Sequence, residues 1–575
     1  MKKLFAKHSR VRILSGILTV TVAIIIARLF QLQVIDHQKY RQLAYREQVK
    51  KLTIPARRGL IYALDHQTPV PMVMNETMYT MFADPQVIKD DQAVLSALSG
   101  LDKESIIGDP AEKLAQKKTR YQVLARGLSR HQAEAIKTKK IAGLGFQAVS
   151  RRIYPEGALA SQMLGFVNAN GGQYGVEGQL DKRLAGKNGL LEAVTDVSDV
   201  PLTVGEKYTN IPARNGDNLV LSIDRNIQSQ VERILKAGLE KVGADNGSAL
   251  VMNPQTGQIM AMANYPSYAV SEFNKVKDVA LFNNATVDRP YEAGSVIKVF
   301  TVAMGINEGK ITPQTVFYNQ DTIKVGDRTI KNAYKGKIGN ITMQDALQYS
   351  LNTGMVNIIS RLGGGNIDRT ARDTIYNYFH NRFRLGQKTK IELPETAGII
   401  IPPTEVEGNA VRYSNMSFGQ GMDVTMIQVA TGFSAIINGG VYYQPTVLAG
   451  VLEDGIFKAQ TPKIIDSQVV KSSTSAQVRQ MLTDARRLYY KNVDRAGYEI
   501  GGKTGTSEKI VDGRYVENQT TATYLGYGGT NRPEYVIMIR VDGKGKYLAG
   551  NTDAAPIFTD ISNWLIDYLK LYPKE

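Results

Sequence analysis

AGSVIKVFTVAMGI, residues 293–306, sets Ser295 and Lys298 three apart at the head of a strongly apolar helical run. Positions i and i+3 of a helix share one face, so hydroxyl and amine can meet. A serine hydroxyl is a weak nucleophile at neutral pH until a base takes its proton, and a lysine can be that base if burial or a nearby cation lowers its pKa. A helix start supplies free N–H groups that disfavour an ammonium and stabilise an oxyanion. Taken alone, S-x-x-K also arises by chance on helix surfaces in a chain rich in Ser and Lys.

Two further stretches change that reading. In YSLNTG, residues 349–354, Ser350 and Asn352 stand two apart, so in an extended or loop segment both point the same way. In GGKTGTSE, residues 501–508, Lys503 precedes Thr504, Gly505 and Thr506 on a predicted strand, where glycine permits close approach of a substrate backbone. Singly, Ser350 and Asn352 also fit a turn or helix cap, and Lys503 a surface charge on an edge strand. Jointly, in that order, the three stretches resemble the S-x-x-K, S-D-N and K-T-G set of lysine-assisted serine acyl-transfer sites, with Leu351 where that set has Asp. Residues 497–504 also satisfy the phosphate-loop pattern G-x-x-x-x-G-K-[ST]. The context opposes that reading, because no hydrophobic strand precedes the segment and no helix follows it. A Ser-His-Asp triad is excluded by counting: His380 is the only histidine after residue 131.

The rest of the chain bounds the setting. Its 575 residues allow several domains, and 43% apolar with 22% charged residues is ordinary globular composition. With no cysteine there is no disulfide, thiolate metal site or cysteine nucleophile. His8, His37, His66, His131 and His380 are far apart, so neither a metal nor another cofactor is expected. The net charge of +16 suits an anionic neighbour: nucleic acid, a membrane surface or an anionic polymer. After Lys2, Lys3, Lys7, Arg10 and Arg12, the uncharged run at 13–27 continues as RLFQLQVI to residue 35 and reads as one uncleaved membrane anchor. A signal peptide is the competing reading, but no A-x-A-like site follows, and Arg28 can snorkel. Five Lys/Arg on each side leave the positive-inside count tied; translocation of the long carboxy-terminal part places the bulk of the chain outside, away from nucleic acid.

The texture changes near IPARNGDNLVLSID, residues 211–224. The expected division is a cytoplasmic tail at 1–12, an anchor helix at 13–35, a non-catalytic pedestal at 36–215 and a catalytic domain at 216–575. Arg57, Arg58 and Glu177 in the pedestal are read as surface charge, with an interdomain ion pair as the alternative. Downstream, residues 224–243 show helical spacing through Ile227, Val231, Ile234 and Leu235, while SALVMNP, TATYLGYGG and EYVIMIRVDG read as strands. Ile557, Ile561, Trp564, Leu565, Tyr568 and Leu569 form a stripe for a closing helix. Helices beside strands give an α+β class.

On these motifs, and on GVEGQLDKRLAGKNG (175–189), LVMNPQTGQIMAMANYPSY (250–268) and FGQGMDVTMIQ (418–428), the chain resembles the class B penicillin-binding proteins, monofunctional peptidoglycan D,D-transpeptidases, and most the division-specific penicillin-binding protein 3 type. It departs where the family continues R-G-x-I with Asp-Arg-x-Gly, since Ala63-Leu64-Asp65-His66-Gln67 follows here. The resemblance implies a penicillin-binding, serine β-lactamase-like transpeptidase domain, an antiparallel sheet flanked by helices, preceded by a transmembrane helix and an elongated pedestal. It implies that Ser295 attacks the penultimate D-Ala carbonyl of a D-Ala-D-Ala stem peptide, with Lys298 as base and Ser350 relaying a proton to the leaving amine. Asn352 is expected to bind the donor peptide and hold Lys298. Lys503, Thr504, Gly505 and Thr506 are expected to bind the substrate carboxylate, and the Ser295 and Thr506 N–H groups to form the oxyanion hole. A neighbouring amine then resolves the ester, and β-lactams are trapped at the same stage. Implied partners are stem peptides, a SEDS-type glycosyltransferase and divisome proteins; the implied location is the cytoplasmic (inner) membrane, single-pass, with the bulk periplasmic. Rival functions are a membrane-anchored β-lactam sensor, which needs a larger signalling element than a twelve-residue tail, and a carboxypeptidase or β-lactamase using water.

Overall fold

The computed structural model describes residues 2–40, 49–194, 209–511 and 514–574. Contacts divide the chain into two compact units, Met1–Arg58 with Ala185–Gly216, and Gly59–Leu184 with Asp217–Glu575.

In the first unit, helix Lys2–Phe30 runs into a π turn at Gln31–Ile35. Its apolar part, Arg10–Ile35, has 26 residues, within which an 18-residue window has a mean hydropathy of 2.3 and no buried residue. At about 1.5 Å per residue it exceeds the roughly 30 Å hydrocarbon core of a bilayer. Thr19 and Thr21 hydroxyls donate to the Ser15 and Ile17 carbonyls, and Arg28 donates to Gln31 Oε1 at the end of the helix, so these polar groups are satisfied locally. A separate three-stranded antiparallel sheet places Gly189–Val194 between Val49–Ile54 and Thr209–Ile211.

The second unit contains a seven-stranded sheet that runs across the boundary expected at residue 215. Its strand Leu219–Asp224 pairs parallel with Ile61–Asp65 on one side and antiparallel with Leu448–Glu453 on the other. The segment that departs from the family pattern is the hairpin end joining Ile61–Asp65 to Thr68–Ala83. There His66 has a left-handed backbone (φ +57°) and donates its N–H to Asp224 Oδ2 at 2.7 Å. Glu177 is not surface charge: it is fully buried and accepts from Arg152 Nε at 2.7 Å. Arg152 also donates to the Gly59 carbonyl, giving the buried pair a further hydrogen bond.

The region beyond residue 224 is built around a second sheet. Helix α1 (Arg225–Val242) starts at Asp224, whose carboxylate accepts from the Asn226 and Ile227 N–H groups. It stops at Gly243 in the left-handed conformation. Strands β1 (Asn246–Met252) and β2 (Ile259–Tyr265) follow, then helices α2 (Lys298–Asn307), α3 (Met343–Gln348), α4 (Asn352–Leu362), α5 (Met426–Ile437) and α6 (Ser472–Tyr490). Strands β3 (Glu499–Val511), β4 (Arg514–Gly529) and β5 (Pro533–Asp542) and the closing helix α7 (Ala555–Tyr568) complete it. The sheet order is β2-β1-β5-β4-β3, antiparallel throughout, with β3 at an edge.

Alternation along the strands sends side chains to two cores. Val251, Ile537 and Ile539 meet Ile227, Val231, Leu235 and Leu239 of α1 and Ile557, Phe558, Ile561 and Leu565 of α7. Trp564, Tyr568 and Leu569 complete the predicted stripe as partly buried members of the same core. Leu250, Met252 and Met538 face the opposite way, into a core shared with α2, α5 and α6. Helix α2 is buried on every side, including Val299, Phe300, Val302 and Met304. That explains why its sequence is apolar all round rather than amphipathic. Each such side chain contributes roughly 1.5–3 kcal/mol by leaving water. The α+β class, with an antiparallel sheet flanked by helices, is as expected.

Candidate active site

Ser295 lies in a single 3₁₀ turn, Gly294–Ile297, that leads directly into α2 at Lys298. Ser295 is half-buried, whereas Lys298 is almost wholly enclosed. Ser350 sits in the break between α3 and α4 with φ +56°, a conformation few non-glycine residues adopt. The break brings it to Lys298, whose Nζ donates to the Ser350 carbonyl at 2.6 Å and to Ser350 Oγ at 3.1 Å. From the edge strand β3, Lys503 Nζ donates to the same Oγ at 2.9 Å. Two lysines from distant parts of the sequence therefore share one hydroxyl.

That arrangement sets their protonation. Burial pushes the Lys298 amine well below the usual lysine range, and neighbouring Lys503 pushes it further. Burial pulls Lys503 down to about 7. Neither lysine has a carboxylate among its hydrogen-bond partners in the described residues, so no counter-charge offsets the loss of hydration. A neutral amine at Lys298 is the base that a serine nucleophile needs. An ammonium at Lys503 awaits an anion.

The glycines bring nucleophile and edge strand together. A Cβ on Gly505 would stand 2.8 Å from the Ala293 carbonyl oxygen and 3.2 Å from Val296 Cγ1. The close approach that Gly505 permits is thus made by the nucleophile's own segment, where the sequence reading placed the substrate. Gly294 (φ +63°) abuts Thr506 in the same way: a Cβ there would lie 2.9 Å from Thr506 O and 3.4 Å from Thr506 N. The backbones around Ser295 and Thr506, expected to form the oxyanion hole, are therefore adjacent. Thr504 and Thr506 are half-buried on β3, paired with Tyr524 and Ala522 of β4. Thr506 Oγ1 accepts from the Gly550 N–H at 3.1 Å, which leaves its own hydrogen to donate elsewhere.

Asn352 opens α4 beside Ser350, but its Nδ2 donates to the Lys331 carbonyl at 2.8 Å. Among the described residues it makes no hydrogen bond with Lys298; Ser350 takes that place. The sequence reading also passed over Glu292. This carboxylate is buried three residues before the nucleophile and accepts from the Gly421 N–H at 2.6 Å and Tyr515 Oη at 3.0 Å. Burial raises its pKa above the ordinary carboxylate value. An acidic residue within the otherwise apolar YEAGSVI was the available signal. The segment 497–504 that imitates a phosphate loop lies largely within strand β3 and opens no helix.

The chain belongs to the penicillin-binding protein transpeptidase family, whose domain it matches over residues 247–563. Residues 53–221 match the penicillin-binding protein dimerisation domain. Similar proteins include stage V sporulation protein D of Bacillus subtilis, 29% identical over 96% of this chain and 84% of that protein. The peptidoglycan D,D-transpeptidase FtsI of Escherichia coli is 26% identical over 98% of this chain and 92% of its own. Among solved structures, penicillin-binding protein 2X of Streptococcus thermophilus shares the fold with a TM-score of 0.73 at 22% identity, covering 91% of this chain and 80% of that one. The family is the one to which the three motifs point.

Proposed function

We propose that the protein is a serine-type peptidoglycan D,D-transpeptidase that cross-links stem peptides in cell-wall synthesis, acting at the division septum. The observation that carries the reading is the Lys298–Ser350–Lys503 cluster, whose Lys298 opens the helix that the Ser295 turn leads into. In the forward step neutral Lys298 takes the Ser295 proton as Oγ adds to the carbonyl of the penultimate D-Ala. The oxyanion forms against the Ser295 and Thr506 N–H groups. Collapse breaks the C–N bond, the proton returns through Ser350 to the departing D-Ala amine, and a Ser295 ester remains. A stem-peptide amine then adds to that ester, loses its proton to Lys298 and expels Ser295 Oγ, which recovers its hydrogen. Protonated Lys503, with the Thr504 and Thr506 hydroxyls, binds the terminal carboxylate beside Gly505. Asn352 Oδ1, left open by the bond from Nδ2 to Lys331, accepts from the donor peptide. A β-lactam carries the same carboxylate and acylates Ser295.

Residues 13–35 are proposed as the single-pass anchor in the cytoplasmic membrane, with 1–12 inside, 36–215 as the pedestal and 216–575 as the transpeptidase domain in the periplasm. A SEDS-type glycosyltransferase and divisome proteins are the proposed membrane partners, supplying the glycan synthesis that a transpeptidase lacks. The test is time-resolved labelling of the membrane-extracted chain with a fluorescent penicillin, beside Ser295→Ala. Stable label on the parent alone supports the reading and disfavours fast hydrolysis. Absence of label on a folded parent overturns it.

A further inference from the structure

A second polar cluster lies behind the Ser350 loop. Asn319, Asp321, Asn332 and Thr353 are all buried. Asn319 ends strand Val316–Asn319, Asn332 follows the hairpin Thr322–Val325 with Arg328–Lys331, and Thr353 is the second residue of α4. Asp321 Oδ1 accepts from Asn319 Nδ2 and Asn332 Nδ2, both at 3.1 Å, and Oδ2 accepts from the Gly336 N–H at 2.6 Å. Thr353 Oγ1 donates to Asn319 Oδ1 at 2.8 Å, and the Thr353 N–H donates to Asn332 Oδ1 at 3.1 Å.

The last contact is unusual in origin. Helix α4 follows Leu351, which has no side-chain group to cap the free N–H groups of the first turn. Asn332, 21 residues earlier, supplies the cap instead. One residue away, Asn352 Nδ2 reaches the carbonyl of Lys331, the neighbour of Asn332. A cluster serving only its own hairpin turn has no reason to end on the two residues that immediately follow the Ser350 loop.

We infer that Asn319, Asp321, Asn332 and Thr353 are positioning residues for the proposed acyl transfer: they fasten the inserted hairpin to the first turn of α4 and so hold Ser350, in its left-handed backbone, between Lys298 and Lys503. The inference rests on the transpeptidase reading of Ser295. A displacement of about 1 Å at such a site is enough to slow chemistry about a hundredfold.

The experiment compares the full detergent-extracted chain with Thr353→Val and Thr353→Ser. The readouts are the second-order rate of acylation by a fluorescent penicillin, the pH midpoint of that rate, and Tm. Thr353→Val is expected to acylate about tenfold or more slowly with a displaced pH midpoint, because Lys298 loses its fixed partner. Thr353→Ser, which keeps the hydroxyl, is expected within about twofold of the parent at an unchanged midpoint. A folded Thr353→Val with the parent's rate, or with a slower rate but an unmoved midpoint, overturns the inference. If Thr353→Val does not fold, Asp321→Asn, which keeps the volume and removes the charge that gathers Gly336 and the two amides, carries the same readouts and criteria. An unlabelled parent overturns the transpeptidase reading instead.

Discussion

Replacing Lys503 with methionine should stabilise the protein while abolishing its chemistry, and the size of the gain should depend on pH. Lys503 titrates near 7 in the folded chain, against an ordinary value of 10.5. The unfolded chain therefore binds more protons between those two values, and the parent's stability climbs with pH across that window. Each pH unit corresponds to about 1.4 kcal/mol, so burial of this one amine destabilises the parent by up to about 5 kcal/mol below pH 7, falling to nothing near 10.5. Methionine fills similar space without titrating. It forfeits the hydrogen bonds to Ser350 Oγ and the Thr504 carbonyl, which reduces the net gain at pH 6 to about 2–3 kcal/mol. Thermal unfolding of parent and Lys503→Met at pH 6, 7, 8 and 9 should show the variant several degrees higher at pH 6, with the gap closing by about 2 kcal/mol between pH 7 and 9. A gap of constant size, or a variant less stable at every pH, would refute the argument that the site keeps an unneutralised buried ammonium.

Other outcomes follow from the same geometry. Gly505→Ala is expected to slow penicillin acylation about a hundredfold or more, because the new Cβ meets the Ala293 carbonyl, which belongs to backbone and cannot swing aside; gel-based labelling rates measure it. Ser350→Gly and Ser350→Ala should both lose the proton relay, but the glycine variant should be more stable by about 1 kcal/mol in thermal unfolding, since φ +56° suits glycine. Arg486 is buried against Asp494, Tyr524 and Thr559, so Asp494→Ala should cost about 3–5 kcal/mol by leaving the guanidinium without its carboxylate, read as a lowered Tm. Acylation should also fall above pH 7, as Lys503 loses the proton that attracts the penicillin carboxylate, which stopped-flow acylation rates of the parent across pH 6 to 9 measure.

Much of the site was legible because its chemistry is written in short spacings. Ser295 and Lys298 lie within one turn, the residues that flank Ser350 break a helix, and Gly505 sits in a strand of alternating small residues. The strands and helices beyond residue 224 were equally readable, since β1, β4, β5 and α7 carry clean apolar periods. What escaped depends on partners remote in sequence. Glu177 looks like any charged residue until Arg152 folds over it, and Asn319, Asn332 and Thr353 carry no pattern that announces a shared cluster. Asn352 was assigned to Lys298 by analogy, whereas Lys331 occupies its amide. The competing uses of one side chain are settled by three-dimensional distance, which local spacing does not encode.

The sheet that joins Ile61–Asp65 to Leu219–Asp224 also constrains how the chain is made. Leu60 and Asn218, hydrogen-bonded at the start of that pairing, are 158 residues apart, and Asn218 bonds onward to Leu452, another 234 residues along. If the chain is threaded out of a membrane from its amino terminus, as proposed, it carries the unpaired edge of Ile61–Asp65 until Leu219–Asp224 has emerged, and the outer edge of that second strand until Leu448–Glu453 follows. Such long-range pairing is slow and leaves hydrogen-bonding edges open to other chains in the interval. Folding and the proposed export are therefore coupled through Leu219–Asp224, whose partners lie far to either side of it in the sequence.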